Sequence, residues 1–412
     1  MKFEDYRIAD GIKTSISKLG FKKPTDIQYK CIPPILRGDD VLAIAQTGTG
    51  KTAAFVIPVL HILQERKIPG RPDGVKCLVM TPTHELAKQT ELVFKTLGRH
   101  TRITCISIHG GVEQLPQIES LERGIDVLVA TPGRMFDLVS QGALNLSRVE
   151  ILIVDEADHM LDLGFLKDIK DLMHHLPKRR QTLFFSATIN EKIKKLAYSM
   201  VTDAIHIQIS PKDPVGKNID HSVAFIEMDD KRYFLEEVLK GNPETKALVF
   251  VRTKVRAERV KKALERVDIQ SDTIHGDKLQ DERDRVMDAF RSGENLVLIA
   301  TDVSARGIDI PNVEIVVNYD LPEAPENYVH RVGRTGRANK RGQAIAFCSS
   351  AEQKMLEEIE TLLGKEIKRL EISKKEYEYT LETAGDQADD WKSLIEQAES
   401  YNKQRKKKKK KK

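Results

Sequence analysis

The sequence predicts an α/β protein with two tandem parallel-sheet domains, a short linker and a basic C-terminal tail. Short apolar runs alternate with amphipathic or charged stretches, which is typical of βα units on a parallel sheet. The pattern occurs twice, on either side of a segment at 210–218 that contains two prolines and a glycine. A chain of 412 residues is also long for a single core. We therefore expect domains at 1–209 and 219–370, a linker at 210–218 and a charged, partly disordered tail at 371–412.

The predicted strands are short apolar runs, six in each half of the chain. In the first half they are 41–45, 77–81, 105–108, 127–130, 151–154 and 183–186. In the second half they are 223–226, 247–251, 273–275, 297–301, 315–318 and 344–348. Beyond residue 369 we expect no further strand and one helix near 389–400.

The charge of the chain is concentrated at its end. The formal net charge is +5, but Arg405 and the seven lysines at 406–412 carry +8, which leaves −3 for all other residues. Nucleic-acid contacts in the body must then be local, and the tail is either a separate RNA-binding arm or a solubilising end. The charged N-terminus and the lack of a long apolar run favour a cytoplasmic protein without membrane contact.

The four cysteines, Cys31, Cys77, Cys105 and Cys348, are scattered along the chain without a close pair. Three of them lie in apolar runs, so we expect buried thiols rather than disulfides or metal ligands. The cysteines therefore predict no structural metal.

A strand, a glycine loop and a helix start follow one another at residues 41–54. The apolar run 41–45 precedes Gly48 and Gly50, and Lys51 and Thr52 open the next helix. Backbone N–H groups of such a loop converge on a polyphosphate, to which the helix dipole and the Lys51 ammonium add attraction, with Mg²⁺ on the Thr52 hydroxyl. An ordinary glycine turn explains the glycines but not the Gly-Lys-Thr order. Ala45 stands where the general pattern has its first glycine.

A second group of charged residues follows the apolar run 151–154. Asp155, Glu156 and Asp158 come where this strand leaves the sheet, and ligands of open α/β sheets bind at that edge. Asp155 can hold Mg²⁺ through its waters, and Glu156 can orient or deprotonate an attacking water. Such acidic residues alone are common at strand ends, but with the phosphate loop they indicate triphosphate hydrolysis.

The motif Asp155-Glu-Ala-Asp158, together with Ala45-Gln-Thr-Gly-Thr-Gly-Lys-Thr52, resembles the DEAD-box RNA helicases of superfamily 2. Further family motifs occur in the family's order from residue 3 to residue 337, and the chain is most similar to the bacterial RhlE-type branch. The resemblance implies two RecA-like domains that use ATP and Mg²⁺.

The resemblance also implies roles for single residues. The catalytic residues are Lys51, Asp155, Glu156, Arg334 and Arg337, and Thr52 and Asp155 hold the metal. The nucleotide-binding residues are Phe3, Phe21, Gln28, Gln46, Thr47, Gly48, Thr49, Gly50, Lys51, Thr52, Gly307 and Asp309. The residues that couple hydrolysis to strand separation are Asp158, Ser186, Thr188 and His330. The RNA-binding residues are Pro82, Thr83, His84, Gly111, Thr131, Arg134, Arg252, Arg283, Thr301 and Asp302.

His84 departs from the family pattern, which usually has arginine at this position to bind an RNA phosphate. Histidine is shorter and mostly neutral at pH 7. We expect His84 to weaken one phosphate contact, for which Lys88, one helical turn further on, can substitute.

The predicted function is ATP-dependent local unwinding of short RNA duplexes, with sequence-independent contacts to the RNA backbone. Two alternatives are a DNA translocase and an RNA clamp that binds nucleotide with little turnover. The resemblance to the RhlE-type branch suggests ribosomal precursors or the RNA-decay machinery as partners, and we expect a monomer.

Overall fold

The computed structural model describes residues 2–46, 48–68, 74–209, 215–216, 218–302, 313–336 and 341–384. The expected helix near 389–400 and most of the expected linker lie outside these residues. Of the linker, Val215 is described, and its side chain is buried in a core of the second half of the chain.

The first sheet has seven parallel strands in the order β3-β4-β2-β5-β6-β1-β7. The strands are β1 Val41–Ala45, β2 Cys77–Met80, β3 Cys105–Ile108, β4 Val127–Ala130, β5 Ile151–Val154, β6 Gln181–Ser186 and β7 Ile205–Ile209. In this order β1 lies beside β6, with Val41 opposite Leu183. The phosphate loop after β1 and the acidic residues after β5 therefore leave the same edge of the sheet.

The second sheet repeats this topology, again with seven parallel strands, in the order β10-β11-β9-β12-β13-β8-β14. Its strands are β8 Ile219–Phe225, β9 Ala247–Phe250, β10 Asp272–Ile274, β11 Val297–Ala300, β12 Ile315–Asn318, β13 Gly342–Cys348 and β14 Lys368–Leu370. Each strand takes the place of the strand seven earlier. The two predicted sheets of similar size are thus confirmed.

Helices cover both faces of each sheet, as parallel βα units require. In the first half they are α1 Asp10–Lys18, α2 Asp26–Arg37, α3 Lys51–Arg66, α4 His84–Leu97, α5 Leu115–Glu122, α6 Pro132–Ser140, α7 Ala157–Asp162, α8 Leu166–His175 and α9 Glu191–Met200. In the second half they are α10 Lys231–Lys240, α11 Lys254–Glu265, α12 Gln280–Ser292, α13 Pro325–Val332, α14 Gln353–Leu363 and α15 Lys374–Ala384.

The strand alternation of β1 shows how the cores are divided. Val41, Ala43 and Ala45 join one apolar cluster, whereas Leu42 and Ile44 join the cluster on the opposite face. All five side chains are buried, so the sheet is covered on both faces. Because the strands are held by packing on both faces, the strand ends from which the loops leave are held in place.

All twelve predicted strands are present, with ends that shift by up to four residues. Two strands, β7 and β14, were not predicted, and both lie at a sheet edge. In β7 only Ile207 is buried, and the three residues of β14 are exposed or half-buried. Edge strands with little buried surface lack the apolar run on which the prediction depends. The expectation of no strand after residue 369 is wrong by one residue, because β14 ends at Leu370.

The expectation of buried thiols is confirmed, since all four cysteines are buried. Burial raises the pKa of Cys31 to about 12 and that of Cys348 to about 11. No helix in the described part of the chain combines the length and apolar character needed to cross a bilayer.

Candidate nucleotide and nucleic-acid sites

The phosphate loop connects β1 to α3 and depends on two glycines in the left-handed region, Gly48 at φ 81° and Gly50 at φ 93°. A Cβ atom on Gly50 would lie 2.5 Å from Gln28 Nε2. Gln28 Nε2 donates to the Gly50 carbonyl oxygen at 3.2 Å, and Thr49 Oγ1 donates to the Gln46 carbonyl oxygen at 2.7 Å. The loop is thus held in one conformation from both sides.

Lys51 opens α3 with its side chain turned into the protein. Only 7% of the residue is exposed, and its Nζ has no hydrogen-bond partner among the described residues. An ammonium group without a partner is costly to bury. A polyphosphate at the loop would supply the missing acceptors, so the site fits a nucleoside triphosphate.

Asp155 and Glu156 follow β5 and are both buried. Burial raises the pKa of Asp155 to about 7, although the Lys51 ammonium acts in the opposite direction. Burial alone would also raise the pKa of Glu156, but the hydrogen bond and charge of His159 and the charges of Lys51 and Arg334 lower it to about 2. Two neighbouring carboxyl groups therefore differ in protonation behaviour, which suits different roles.

Glu156 has an unusual backbone, with φ 50° and ψ 50°, in the left-handed region that non-glycine residues rarely adopt. Such conformations cost about 1 to 3 kcal/mol and occur preferentially at functional sites. In this conformation Glu156 Oε2 accepts a hydrogen bond from His159 Nδ1 at 3.3 Å. The turn thus sets the Glu156 carboxylate beside His159.

The donors around the loop fit Mg²⁺. The Thr52 hydroxyl lies one residue after Lys51, and the buried Asp155 carboxylate follows the parallel strand β5 at the same edge of the sheet. Hydroxyl and carboxylate oxygens are the ligands that Mg²⁺ prefers when it binds together with phosphates. Among the described residues no three His, Cys, Asp or Glu side chains form a metal-binding group of their own.

Arg334 brings the second domain into this site. It is 4% exposed, and its Nε donates to the His330 carbonyl oxygen at 3.2 Å. The Arg334 charge is one of the influences that lower the pKa of Glu156, so a group of the second domain acts on a carboxylate of the first. One site is therefore built from both halves of the chain.

Of the residues expected to bind the adenine ring, Gln28 contacts the loop, and Phe3 and Phe21 lie near each other. Phe21 is 43% exposed, and its ring centroid lies 6.4 Å from that of the buried Phe3. Gln28 Oε1 accepts from the Thr25 backbone N–H at 3.0 Å, so each end of the Gln28 amide is engaged once. An amide can form further hydrogen bonds at both ends, which leaves capacity for a base edge.

Three of the four expected coupling residues, Asp158, Ser186 and Thr188, interact within the first domain, whereas His330 lies on α13 of the second. Asp158 Oδ2 accepts hydrogen bonds from the Ala187 and Thr188 backbone N–H groups and from Thr188 Oγ1, at 3.1 to 3.2 Å. Ser186 Oγ donates to the Thr188 carbonyl oxygen at 2.8 Å. Thr188 thus joins the acidic loop to the residues that follow β6, and the coupling role of these residues stays a prediction. Strand β6 is a neighbour of β1 in the sheet, so the residues that follow β6 leave the sheet next to the phosphate loop.

The predicted RNA-binding residues of the first domain lie at the ends of three neighbouring strands, β2, β4 and β3. Pro82 and Thr83 follow β2, Gly111 follows β3, and Thr131 and Arg134 follow β4. Several of these side chains serve the fold: Thr83 Oγ1 caps α4 by accepting from Leu86 N, and Arg134 Nη2 donates to the Val112 carbonyl oxygen at 2.8 Å. Pro82 and Thr131 are buried.

The corresponding residues of the second domain lie at β9, β11 and α12, and three of them are engaged by protein groups. Arg252 Nη2 donates to Glu352 Oε1 at 2.9 Å. Asp302 forms a two-pronged ion pair with Arg331, at 2.5 and 2.7 Å. Arg283 was expected to bind RNA, but its Nη2 lies 2.5 Å from Glu85 Oε1 of the first domain. Arg283 and Asp302 thus each have a protein partner, and their contact with RNA stays a prediction.

Arg331 was assigned no role from the sequence, although it organises the polar groups of the second domain. Arg331 is buried and also donates to Asn318 Oδ1 and to the Asp320 carbonyl oxygen. Arg331 precedes Arg334 by three residues, and this spacing in the sequence does not reveal which arginine turns inward. Of the expected site residues, Thr47, Gly307, Asp309 and Arg337 lie outside the described part of the chain.

The chain matches two family models along its length. A DEAD/DEAH box helicase model matches residues 25–196, and a helicase conserved C-terminal domain model matches residues 230–339. The chain is 37% identical to the ATP-dependent RNA helicase DbpA of Bacillus subtilis, over 91% of this chain and 77% of that protein.

The fold of this chain is similar to that of solved structures over both domains. The chain matches the DEAD-box helicase Mss116 bound to ssRNA and UDP-BeF with a TM-score of 0.83 and 28% identity, over 92% of this chain and 81% of that chain. It matches a single-residue variant of S. cerevisiae Dbp5 bound to RNA and ADP BeF3 with a TM-score of 0.80 and 29% identity, over 93% and 99% of the two chains. The same Dbp5 variant bound to Nup159, a variant of Gle1, IP6 and ADP gives 0.61 at 31% identity, over 91% and 99%. The chain belongs to the DEAD-box family of ATP-dependent RNA helicases.

Proposed function

We propose that this helicase separates short RNA duplexes locally and couples this to RNA-stimulated hydrolysis of ATP to ADP and phosphate. The observation that carries the proposal is the shared site, in which the charge of Arg334 of the second domain helps to lower the pKa of Glu156 of the first. A site completed by both domains links hydrolysis to their relative position.

In the proposed mechanism the phosphate loop holds the triphosphate, and Lys51 neutralises part of its charge. Glu156 accepts a hydrogen bond from the attacking water and takes up its proton or orients it. The low pKa of Glu156 keeps the carboxylate charged and able to accept. Thr52 and Asp155 would hold Mg²⁺, which supplies charge neutralisation at the phosphates.

Arg334 is placed to stabilise the charge that develops on the transferred phosphoryl oxygens. Guanidinium groups stay charged and donate in a fixed fork, and such arginines contribute about 10³ to 10⁵ in rate. Because Arg334 comes from the second domain, its contribution depends on domain closure.

The same closure brings the two groups of predicted RNA-binding residues together. They lie at equivalent strand ends of the two sheets, after β2, β3 and β4 and after β9, β10 and β11. Hydroxyls, backbone N–H groups and arginines bind phosphate and ribose without reading bases. Holding one strand in a bent shape opens base pairs, at about 1 to 2 kcal/mol per stacking step on the DNA scale.

The test of the proposal is Glu156→Gln in the full chain. This variant should bind ATP and RNA with unchanged affinity while phosphate release falls by about 10² to 10⁴, the usual contribution of a general base. Glu150→Gln is the matched control, because Glu150 lies at the other end of β5, with a 40% exposed side chain. Normal phosphate release by Glu156→Gln would remove Glu156 from its proposed role.

Two alternatives can be separated from this proposal. A DNA translocase would act equally on ribose and deoxyribose strands of the same sequence, whereas contacts to the 2′-OH favour RNA. A nucleotide-dependent RNA clamp would show no RNA-stimulated ATP hydrolysis. The arrangement of Lys51, Glu156 and Arg334 supports an active enzyme.

The branch of the family and the physiological RNA are predicted from the sequence alone. The RhlE-type resemblance suggests ribosome assembly, RNA decay or cold adaptation, in the cytoplasm. Crosslinking of the protein to cellular RNA, followed by sequencing of the captured RNA, tests this prediction.

A further inference from the structure

Helices α4 and α12 face each other across the interface between the two domains. On α4, His84 and Lys88 lie one turn apart, and on α12, Gln280 and Asp284 lie one turn apart. His84 Nδ1 lies 2.9 Å from Gln280 Oε1, and Lys88 Nζ lies 2.7 Å from Asp284 Oδ2. Two residues of one domain thus meet two residues of the other.

A third hydrogen bond joins these two contacts. Gln280 Nε2 donates to Asp284 Oδ1 at 2.9 Å. Burial alone would raise the pKa of Asp284, but the hydrogen bonds from Lys88 and Gln280 lower it, so the group is a carboxylate and can only accept. Gln280 must then turn its NH₂ toward Asp284 and its oxygen toward His84, which places a proton on His84 Nδ1.

Two neighbouring contacts also join the two domains here. Glu85 and Arg283 form an interdomain ion pair at 2.5 Å with side chains only 7% and 14% exposed. Gly111, at φ 77°, lies so near Gln280 that a Cβ atom added to Gly111 would lie 3.2 Å from Gln280 Cβ. The contact therefore depends on the present position of the two domains.

We propose that Asp284 is a positioning residue for domain closure, which through Lys88 and Gln280 fastens α12 to α4 when the nucleotide site is complete. The inference rests on the proposed function, because the contact would regulate the closing of the two domains around the nucleotide site. We call the four residues His84, Lys88, Gln280 and Asp284 the closure contact.

The comparison with Dbp5 supports this assignment to the closed arrangement. The TM-score over both domains is 0.80 for the form bound to RNA and ADP BeF3 and 0.61 for the form with ADP, Nup159, Gle1 and IP6. The two domains of this chain are thus arranged more like those of the RNA-bound form. The closure contact is formed in that arrangement.

The strength of the closure contact suits reversible closing. The side chains of Lys88 and Asp284 are 42% and 39% exposed, so solvent screens their attraction. Exposed pairs of this kind change an equilibrium by about two- to fivefold. Such a contact biases closure without locking the domains together.

The experiment measures closure and RNA use in the full chain with Lys88→Met, Asp284→Asn, the double variant and the exchanged pair Lys88→Asp with Asp284→Lys. Dyes on cysteines introduced at the exposed positions Glu119 and Glu357, one in each domain, report the closed fraction by energy transfer with ADP-BeF3 and single-stranded RNA. The RNA concentration for half-maximal ATP hydrolysis is measured in parallel.

Each single variant should lower the closed fraction and raise the half-maximal RNA concentration about two- to fivefold. The double variant should do no more than either single variant, and the exchanged pair should return to within about twofold of wild type. The maximal rate at saturating RNA should change less than the half-maximal concentration, because RNA itself drives closure. A loss of fold would instead lower the maximal rate.

The matched controls change the same charges outside the contact. Asp288→Asn lies one turn further on α12, where Asp288 pairs with Arg291 of its own helix. Lys95→Met lies on α4, where Lys95 pairs with Glu91. Both controls should behave as wild type.

The proposal would be overturned if Asp284→Asn had the closed fraction and half-maximal RNA concentration of wild type. It would also be overturned if Asp288→Asn changed these quantities as much as Asp284→Asn does, or if the effects of Lys88→Met and Asp284→Asn were additive in the double variant. If wild type and controls show no RNA-stimulated hydrolysis, the proposed function fails as well. The two failures are therefore distinguishable.

Discussion

The imidazole of His84 has neighbours on two sides. Its Nδ1 faces Gln280, and its ring is stacked on His109 at a centroid distance of 5.0 Å. The pKa of His109 is lowered by burial, so this ring is neutral near pH 7. A neutral His84 that donates from Nδ1 has only a lone pair at Nε2, whereas the imidazolium donates from both nitrogens.

This geometry gives the phosphate hypothesis for His84 a chemical basis. A neutral His84 that donates from Nδ1 to Gln280 has only a lone pair at Nε2. Because a phosphate oxygen is also an acceptor, the two cannot form a hydrogen bond. Only the charged ring can contact Gln280 and a phosphate together, while arginine can do so at any pH. Near His84, the positive charges of Lys88 and Arg283 are paired with the negative charges of Asp284 and Glu85.

We expect His84→Arg to bind single-stranded RNA about tenfold more tightly at pH 8, because it adds a charged hydrogen bond. The difference should depend on pH, because arginine keeps its charge throughout whereas the charge of a histidine side chain ordinarily changes between pH 5 and 8. Binding measured by anisotropy at fixed salt from pH 6 to 8 checks this. Identical affinities of the two proteins throughout would discard the hypothesis.

At the scale of elements, a buried polar network joins α10, β12, β13 and the turn before α14. Lys231, at the start of α10, is 0% exposed, and its Nζ donates to the carbonyl oxygens of Tyr319 and Phe347 and to Glu352 Oε2. Glu352 Oε1 in turn accepts from Arg252 Nη2 and from Leu321 N. One carboxylate thus fixes a buried ammonium and a predicted RNA-binding arginine.

The Glu352 carboxylate should stabilise the second domain strongly. Glu352→Gln removes the nearer carboxylate from the buried Lys231 and leaves only Asp320, whose Oδ1 lies 3.9 Å from Nζ. Breaking a buried pair costs about 3 to 5 kcal/mol of unfolding free energy. Urea unfolding, with hydrogen exchange of the β9, β12 and β13 amides, measures this loss. Glu357→Gln on the exposed face of α14 is the control and should change the free energy by less than about 0.5 kcal/mol.

The same pair predicts a pH dependence. Burial alone would raise the pKa of Glu352, but Lys231 and the Ser349 hydrogen bonds lower it below the ordinary value. A carboxyl with a lowered folded pKa contributes stability above its unfolded pKa of about 4.3, and this contribution is lost as the pH falls through the folded pKa. The difference between wild type and Glu352→Gln should therefore be largest near pH 7 and shrink below about pH 4. An unchanged difference at about pH 3.5 would contradict the assignment.

The element scale also shows which parts of the chain local patterns predict well. Buried central strands such as Ile151–Val154 are predicted to the residue, because each is a continuous apolar run. The edge strand Ile205–Ile209 was missed, since four of its five residues are exposed or half-buried. Helix Lys374–Ala384 was also missed, because its charged sequence packs only a few side chains, among them Tyr377 against Phe234.

At the scale of the whole molecule, two domains of equal topology contribute to the proposed nucleotide site. Lys51, Asp155 and Glu156 come from the first sheet, and Arg334 comes from the second. Neither half contains all of these groups. Hydrolysis should therefore depend on the presence of both.

We expect residues 1–209 alone to hydrolyse ATP with RNA at no more than about 10⁻³ of the rate of the full chain, the contribution of an arginine of this kind. Arg334→Ala in the full chain should lose a similar factor while it keeps ATP binding. Phosphate release at saturating RNA measures both. Full RNA stimulation of the first half alone would make the arginines of the second half spectators.

The sequence by itself determined the α/β class, the twofold repeat of the sheet and the position of the phosphate loop and of Asp155–Asp158. These features depend on local order, such as an apolar run followed by glycines and a lysine, and local order is visible in a sequence. Only the tertiary structure decided which polar groups meet. It turned Arg331 inward toward Asp302, paired Arg283 with Glu85 and set Asp284 beside Lys88, because these partners are far apart in the chain and are brought together by the packing of sheets and domains.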